Sequence, residues 1–176
     1  ANSLRRQQPI KTGERRQESV ARSKYSAVEA HPASTKARIV HHSRPLLEWT
    51  EAEVWEIIRR HGIIPHPAYY LGFPRLSCRS CIFFTKNHWA TLNEADLDTA
   101  RMLSDMEREL GFTIDSKLSL PELVAIGKSS ITENNRHYIC AALSDWTAPV
   151  FTNEWQMPDG GIVSEKVGKT QTLCVY

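Results

Sequence analysis

Thr50-Glu51-Ala52-Glu53-Val54-Trp55-Glu56-Ile57-Ile58-Arg59-Arg60-His61-Gly62 is the best-marked stretch of the chain. Thr50 followed three residues later by Glu53 is a capping box, in which the hydroxyl takes an orphan amide and the carboxylate reaches back. Val54, Ile57, Ile58 and His61 recur at helical spacing. Gly62 stands where a left-handed glycine ends a helix. Together these signals predict a helix over 51–61. Pro65, Pro67, Gly72 and Pro74 then predict an irregular loop leading into Cys78.

Farther along, Leu97, Ala100, Leu103, Met106 and Leu110 make one apolar stripe within 92–112. It predicts a second amphipathic helix, with Met102 and Met106 facing the core and Gly111 as terminator. Ser119-Leu120-Pro121-Glu122 is another capping box, opening a short helix to about Ile126. Ile139–Leu143 reads as a further buried segment. Pro158-Asp159-Gly160-Gly161 is a turn signal that pairs Phe151–Met157 with Ile162–Val167 as a hairpin. Upstream, Gly13 marks a turn into a helix over 14–29, closed by His31-Pro32 because the residue before proline avoids helical geometry. Arg38–His42 reads as a short strand. The chain divides in sequence at residue 91, with 1–91 as one domain portion and 92–176 as a helical extension.

The 176 residues are enough for one domain with its own core, and 41% are apolar, so the chain is globular rather than disordered. A net charge of only +2 excludes a strongly basic nucleic-acid coat and an acidic solvating tail. The longest uncharged apolar stretch is Tyr138–Leu143, far short of the ~18 residues a membrane span needs. No charged start precedes an apolar run, so no signal peptide is expected and the expected location is cytoplasmic. The first residue is Ala1 rather than Met, consistent with a trimmed chain or a fragment. Charge is unevenly placed: residues 1–44 hold ten Lys/Arg against three acids. A cationic front end on a mildly acidic body points to a local anionic ligand such as phosphate or sulfate.

Three constellations carry chemistry. Cys78-Arg79-Ser80-Cys81 places two thiolates three positions apart, able to grip one metal or two corners of an iron–sulfur cluster. A reduced thiol pair and a dithiol redox couple are the competing readings. Further ligands would come from Cys140, Cys174, His66 or His88. Four cysteines are too few for a disulfide scaffold. In the second constellation, Arg15, Ser19 and Arg22 share one face if the segment is helical, offering guanidinium forks and a hydroxyl to a tetrahedral oxyanion. A solvated helix laced with Arg–Glu pairs is the plainer alternative. The third is His66-Pro67-Ala68-Tyr69-Tyr70-Leu71-Gly72-Phe73-Pro74-Arg75, where rigid prolines and aromatics hold a loop and Arg75 sits close to the thiolates. His41, His42 and His137 read as ordinary surface or core histidines. No Gly-rich phosphate loop, G-x-S-x-G elbow or His-Glu-x-x-His is present.

In order and spacing, these stretches resemble the C-terminal half of the phosphoadenosine phosphosulfate (PAPS) reductase family. The resemblance runs through Gly13-x-Arg15-x-x-Glu18-Ser19-x-x-Arg22, then Arg44-Pro45-Leu46-Leu47-Glu48-Trp49-Thr50 with the helix after it, then Gly62-Ile63-x-Pro65-His66-Pro67-Ala68-Tyr69 and Gly72-x-x-Arg75-x-x-Cys78-x-x-Cys81. It covers residues 13–91 and looks nearest to the variants of phages and mobile elements and to a DNA phosphorothioation subunit. The resemblance implies an α/β, Rossmann-like adenine-nucleotide fold of the PP-loop type, of which this chain holds the mainly helical C-terminal part. It implies sulfate reduction, or adenylylation for sulfur transfer. Arg15, Ser19, Arg22 and Arg75 would face the anionic end of the nucleotide or substrate. Cys78 and Cys81, with Cys140 as the better third candidate, would hold an iron–sulfur cluster, with zinc as the alternative. The family's Ser-Gly-Gly-x-Asp-Ser-like nucleotide loop is missing, so an upstream segment or a second chain is expected to supply it. Cys174 lacks the Glu-Cys-Gly setting of the catalytic C-terminal cysteine. The competing function is a non-catalytic metal- or cluster-stabilised module, whose basic front end docks on nucleic acid or a partner.

Overall fold

The computed structural model describes residues 9–76, 78–145 and 147–161. The chain forms two compact units that divide after Ile57.

The first unit is built on a small mixed sheet of β1 (Ile10–Lys11), β2 (Val28–Ala30) and β3 (His41–Ser43), in the order β1-β3-β2. β1 runs parallel to β3, pairing Ile10 with His42, and β2 runs antiparallel, pairing Glu29 with His42. The centre of the unit is ionic. Arg44 is only 5% exposed. Its Nε donates to Glu14 at 2.9 Å, Nη2 to Glu29 at 2.7 Å and Nη1 to the Ser26 carbonyl at 2.9 Å. The guanidinium also lies 4.5 Å over the Tyr25 ring. Arg44 Nη2 stands 3.0 Å from His42 Nδ1, and arginine can only donate, so Nδ1 accepts. The His42 proton then sits on Nε2 and is given to Thr12 Oγ1 at 2.8 Å, whose hydroxyl donates to Glu14. Burial alone would raise the Glu14 carboxyl, but hydrogen bonds from Thr12 and Arg44 and the nearby positive charge hold it below the usual range.

The helix expected over 14–29 does not form. Two 3₁₀ turns, Arg16–Glu18 and Arg22–Lys24, lead instead into β2. Ser19 is extended between the turns (φ −166°, ψ 161°), and Arg16 spends its donors on the Ser23 and Tyr25 carbonyls and on Glu48. These local bonds offer the backbone an alternative to the helical ladder. His31-Pro32 therefore follows a strand rather than closing a helix.

α1 (Glu51–Arg60) forms where its capping box predicts. Thr50 Oγ1 accepts from Glu53 N at 3.2 Å while the Glu53 carboxylate accepts from Thr50 N at 2.7 Å. These bonds hold Glu53 below its ordinary value. Gly62 is left-handed (φ +59°), and a Cβ there would lie 2.2 Å from the Thr152 carbonyl, so glycine is required twice over.

The second unit is helical: α2 (Lys86–Ala95), α3 (Leu97–Leu110), α4 (Leu120–Ile126) and α5 (Tyr138–Leu143). Trp89, Leu92, Leu120 and Leu123 form one core cluster, and Leu71, Phe73 and Ile131 a second, with Phe84 packed against both. The single helix expected over 92–112 is two. Asp96 has non-helical dihedrals (φ −143°, ψ 75°), and its carboxylate captures the Thr99 amide at 3.1 Å and hydroxyl at 2.7 Å, capping α3. Gly111 ends α3 in the left-handed region, as its position predicts.

The methionine stripe does not face the core: Met102 is 54% and Met106 46% exposed. The inward face of α3 is rotated from it, through Ala100, Leu103 and Glu107. Glu107 is tolerated there because its carboxylate accepts from Ile114 N at 2.8 Å and from Leu120 N, the first amide of α4, at 2.7 Å. α4 follows its predicted capping box. The segment expected to be buried near residue 140 is the half-buried α5. The first arm of the expected hairpin is not a strand: Phe151 makes an isolated bridge to Ile63, and a 3₁₀ turn covers Asp159–Gly161. Its second arm, Ile162–Val167, lies outside the described residues.

α2 opens with Thr85 Oγ1 accepting from His88 N at 3.4 Å and His88 Nδ1 accepting from Thr85 N at 3.3 Å. Burial pushes the His88 ring below its ordinary value of 6.5. The folded ring therefore binds a proton less readily than the unfolded chain. Its contribution to stability is intact above about pH 6.5 and erodes as pH falls below it. Thermal melts at pH 7 and pH 5 are expected to show a drop that His88→Gln, which keeps an acceptor for the cap, makes shallower. Equal drops in the two proteins would show that His88 does not carry this effect.

Candidate functional site

The Arg15–Arg22 segment has its own geometry in the first unit. Arg15, Ser19 and Arg22 do not line one helical face; Glu18 gathers the two arginines instead. Its carboxylate accepts from the Arg15 amide at 3.1 Å, pairs with Arg15 Nε at 3.4 Å and takes the Arg22 guanidinium. Ser19 Oγ accepts from the Arg22 amide at 3.1 Å, which leaves its hydroxyl proton to donate elsewhere. Two guanidiniums share one carboxylate, so the group carries surplus positive charge. Among the described residues, Arg15 Nη1 is buried without a hydrogen-bond partner. A buried donor left unpaired costs about 1–3 kcal/mol, so this atom is set to receive an acceptor from outside.

The second unit places the Cys-x-x-Cys loop. His66 caps the 3₁₀ turn Pro67–Tyr69, its Nδ1 accepting from Ala68 N at 3.2 Å. Tyr70 stacks on Tyr138 with ring centroids 4.4 Å apart, and Asn135 Nδ2 donates to the Tyr70 carbonyl at 3.1 Å. Desolvation, then the neighbouring Tyr138, raises the Tyr70 phenol above its ordinary value. Cys78 is exposed, Cys81 buried and Cys140 exposed on α5, all three as free thiols. Arg75 and Cys78 line one cavity, together with Arg79.

Arg79 is a residue of the cysteine loop to which sequence reasoning gave no part. Its Nη1 donates to Asp96 at 3.1 Å, tying the cysteine loop to the cap of α3. Burial would raise the Asp96 carboxyl, but the Thr99 hydrogen bonds and the Arg79 charge outweigh it and hold it low. Asp96 directly after a helical segment was the available signal, as a cap residue with a basic partner.

Among the described residues, no group of three or more His, Cys, Asp and Glu side chains is disposed to hold a metal. Cys140 is therefore not gathered with Cys78 and Cys81 into a ligand set. His66 and His88 serve as caps, and the His88 ring packs against Phe84 and Phe73. The described residues offer Cys78 and Cys81 as half of a four-ligand site and do not complete it, so they do not by themselves fit an iron–sulfur cluster or a structural zinc.

Residues 2–83 match the phosphoadenosine phosphosulfate reductase domain, a segment that takes in the Arg15–Arg22 group and both cysteines of the loop. That segment, just under half of the chain, is what it shares with the PAPS reductase family. An uncharacterised 37.8 kDa protein of Escherichia phage 186 is 38% identical over 80 residues, which is 46% of this chain and 23% of the phage protein. The adenosine 5′-phosphosulfate reductase of Burkholderia cepacia is 33% identical over 70 residues, and that of Allochromatium vinosum 36% over 70. Each of these two matches covers 40% of this chain and 26% of the reductase. The chain thus spans about a quarter of the length of these curated relatives. No solved structure matches. The small mixed sheet with its helices agrees with the α/β class of the family. Among the described residues no helix is long and apolar enough to cross a membrane.

Proposed function

We propose that this chain contributes the anion-binding and cysteine-bearing part of a PAPS-reductase-like protein acting on an adenine nucleotide that carries activated sulfate. The observation that carries the reading is the Arg15–Glu18–Arg22 group with its unpaired buried Nη1, inside the segment that matches the family. Arg15 and Arg22 neutralise the sulfate or phosphate oxyanion, and Ser19 adds a hydroxyl donor. The nucleotide loop belongs to an upstream segment or a second chain. Cys78 and Cys81 would supply two ligands to a cluster that orients or activates sulfur, the remaining ligands coming from outside the described residues. Sulfate reduction and adenylylation for sulfur transfer both need this anion grip, and the reading places the protein in the cytoplasm.

Calorimetric titration of the protein from its native source with adenosine 5′-phosphosulfate tests the reading. Arg15→Met is expected to weaken binding about tenfold or more, the scale of one charge-assisted hydrogen bond. Undiminished affinity in Arg15→Met and in Arg22→Met would overturn it.

A further inference from the structure

We infer that the cavity beside the cysteine loop is a binding site for a small anion with an apolar body. This inference stands apart from the sulfur-chemistry reading, since it needs neither the cluster nor the Arg15 group. The cavity holds about 290 Å³ and lies wholly within the second unit. Its walls include Leu71 and Phe73 from the loop, Leu92 from α2, and Ala142 and Leu143 from α5. It is a cleft open to solvent whose walls are mostly apolar, and such walls favour an occupant that brings apolar surface of its own. It stands at the lower end of ligand-pocket volumes, which suits a body of one or two rings.

The charge at the site selects the head group. Arg75 lines the cavity half-buried, and no partner for its guanidinium is found among the described residues. Arg79 also lines it, and among the described residues its carboxylate partner is Asp96. The site therefore carries one uncompensated guanidinium next to apolar walls, a combination that favours a carboxylate, sulfonate or phosphate over a neutral molecule. Leu92, Ala142 and Leu143 lie beyond residue 83, where the family match ends, so the pocket is completed by the part of the chain that the family does not explain.

Titration of the full chain with 1-naphthalenesulfonate, with uncharged 1-naphthalenemethanol and with inorganic sulfate tests this. One site is expected, taking the sulfonate at least about tenfold more tightly than either of the others. Arg75→Met is expected to erase the preference for the charged ring compound, and Ala142→Phe to abolish binding by filling the space. Equal affinity for the charged and uncharged rings, or binding that survives Ala142→Phe on exposed apolar surface such as Phe112 and Phe151, would overturn the inference. If Ala142→Phe does not fold, the charge preference in Arg75→Met decides alone. Arg15→Met separates the two readings: both expect sulfonate binding intact with the sulfonucleotide weakened, an undiminished sulfonucleotide counts against the sulfur-chemistry reading alone, and lost sulfonate binding counts against this inference alone.

Discussion

Replacing Arg44 by leucine is expected to cost about 1–3 kcal/mol of stability, because it removes a buried guanidinium whose acceptors, two carboxylates and a carbonyl, are left without it. Arg44 joins Glu14 and Glu29, pairing with the first at 2.9 Å and the second at 2.7 Å. Its removal leaves two carboxylates facing each other across His42, with Nδ1 of that ring losing its donor. It also frees the Ser26 carbonyl and uncovers the Tyr25 ring. Urea denaturation of the full chain measures the loss. Adding Glu14→Gln to Arg44→Leu is expected to restore part of it, since one of the stranded charges is gone. The depressed Glu14 carboxyl sets the sign of the pH effect. Its contribution is present above the ordinary value of 4.5 and lost as pH falls through the folded value, and Arg44→Leu should blunt that acid sensitivity. A loss below about 1 kcal/mol, the range of exposed pairs, would show that water replaces the guanidinium at little cost.

Trp89→Ala carries the other large effect, about 3–5 kcal/mol, the range for a buried aromatic truncated to alanine. Trp89 is 1% exposed among Leu92, Leu120 and Leu123, with its ring edge-on to Phe84 at 5.2 Å between centroids. It sits where α2 meets α4, so the hole opens at the contact on which the helical unit depends. Trp89→Phe keeps most of the apolar area and is expected to cost clearly less. Near-ultraviolet circular dichroism with thermal melting reads both. Equal and small losses in the two variants would move the centre of the core elsewhere.

Local chemistry was legible in the sequence wherever a few neighbouring residues decide the outcome. The boxes at Thr50–Glu53 and Ser119–Glu122 and the stop at Gly111 all form as their chemistry requires. What was not legible depends on partners distant in sequence. Arg16 reaches Glu48 and the Tyr25 carbonyl, and no helical period of 14–29 announces those bonds. The face of α3 was misplaced because Glu107 reads as a surface residue until the amide of Leu120 is brought to it. At the site, the residue types around Arg15 and Cys78 could be read from their order. The pairing through Glu18 and the role of Arg79 needed coordinates, because a carboxylate shared by two arginines has no spacing rule of its own.

The return of the chain over residues 150–161 bears on how this protein can be cut. Ile64 N bonds to the Val150 carbonyl, Thr152 N to the Gly62 carbonyl and Trp155 Nε1 to the Ile63 carbonyl. Gly160 then approaches so closely that a methyl group there would stand 2.2 Å from the Phe73 carbonyl. The stretch that leads to the cysteines is thus completed by residues some ninety positions later. The recognisable family segment stops at residue 83, but the cooperative unit holding its last motif does not. Kinship and foldability have different borders in this molecule. An excised segment ending at 83 would keep the family's lettering and lose the backbone partners that give the loop its form, so a gene fusion or exchange that preserves the loop must carry residues 58–161 as one piece.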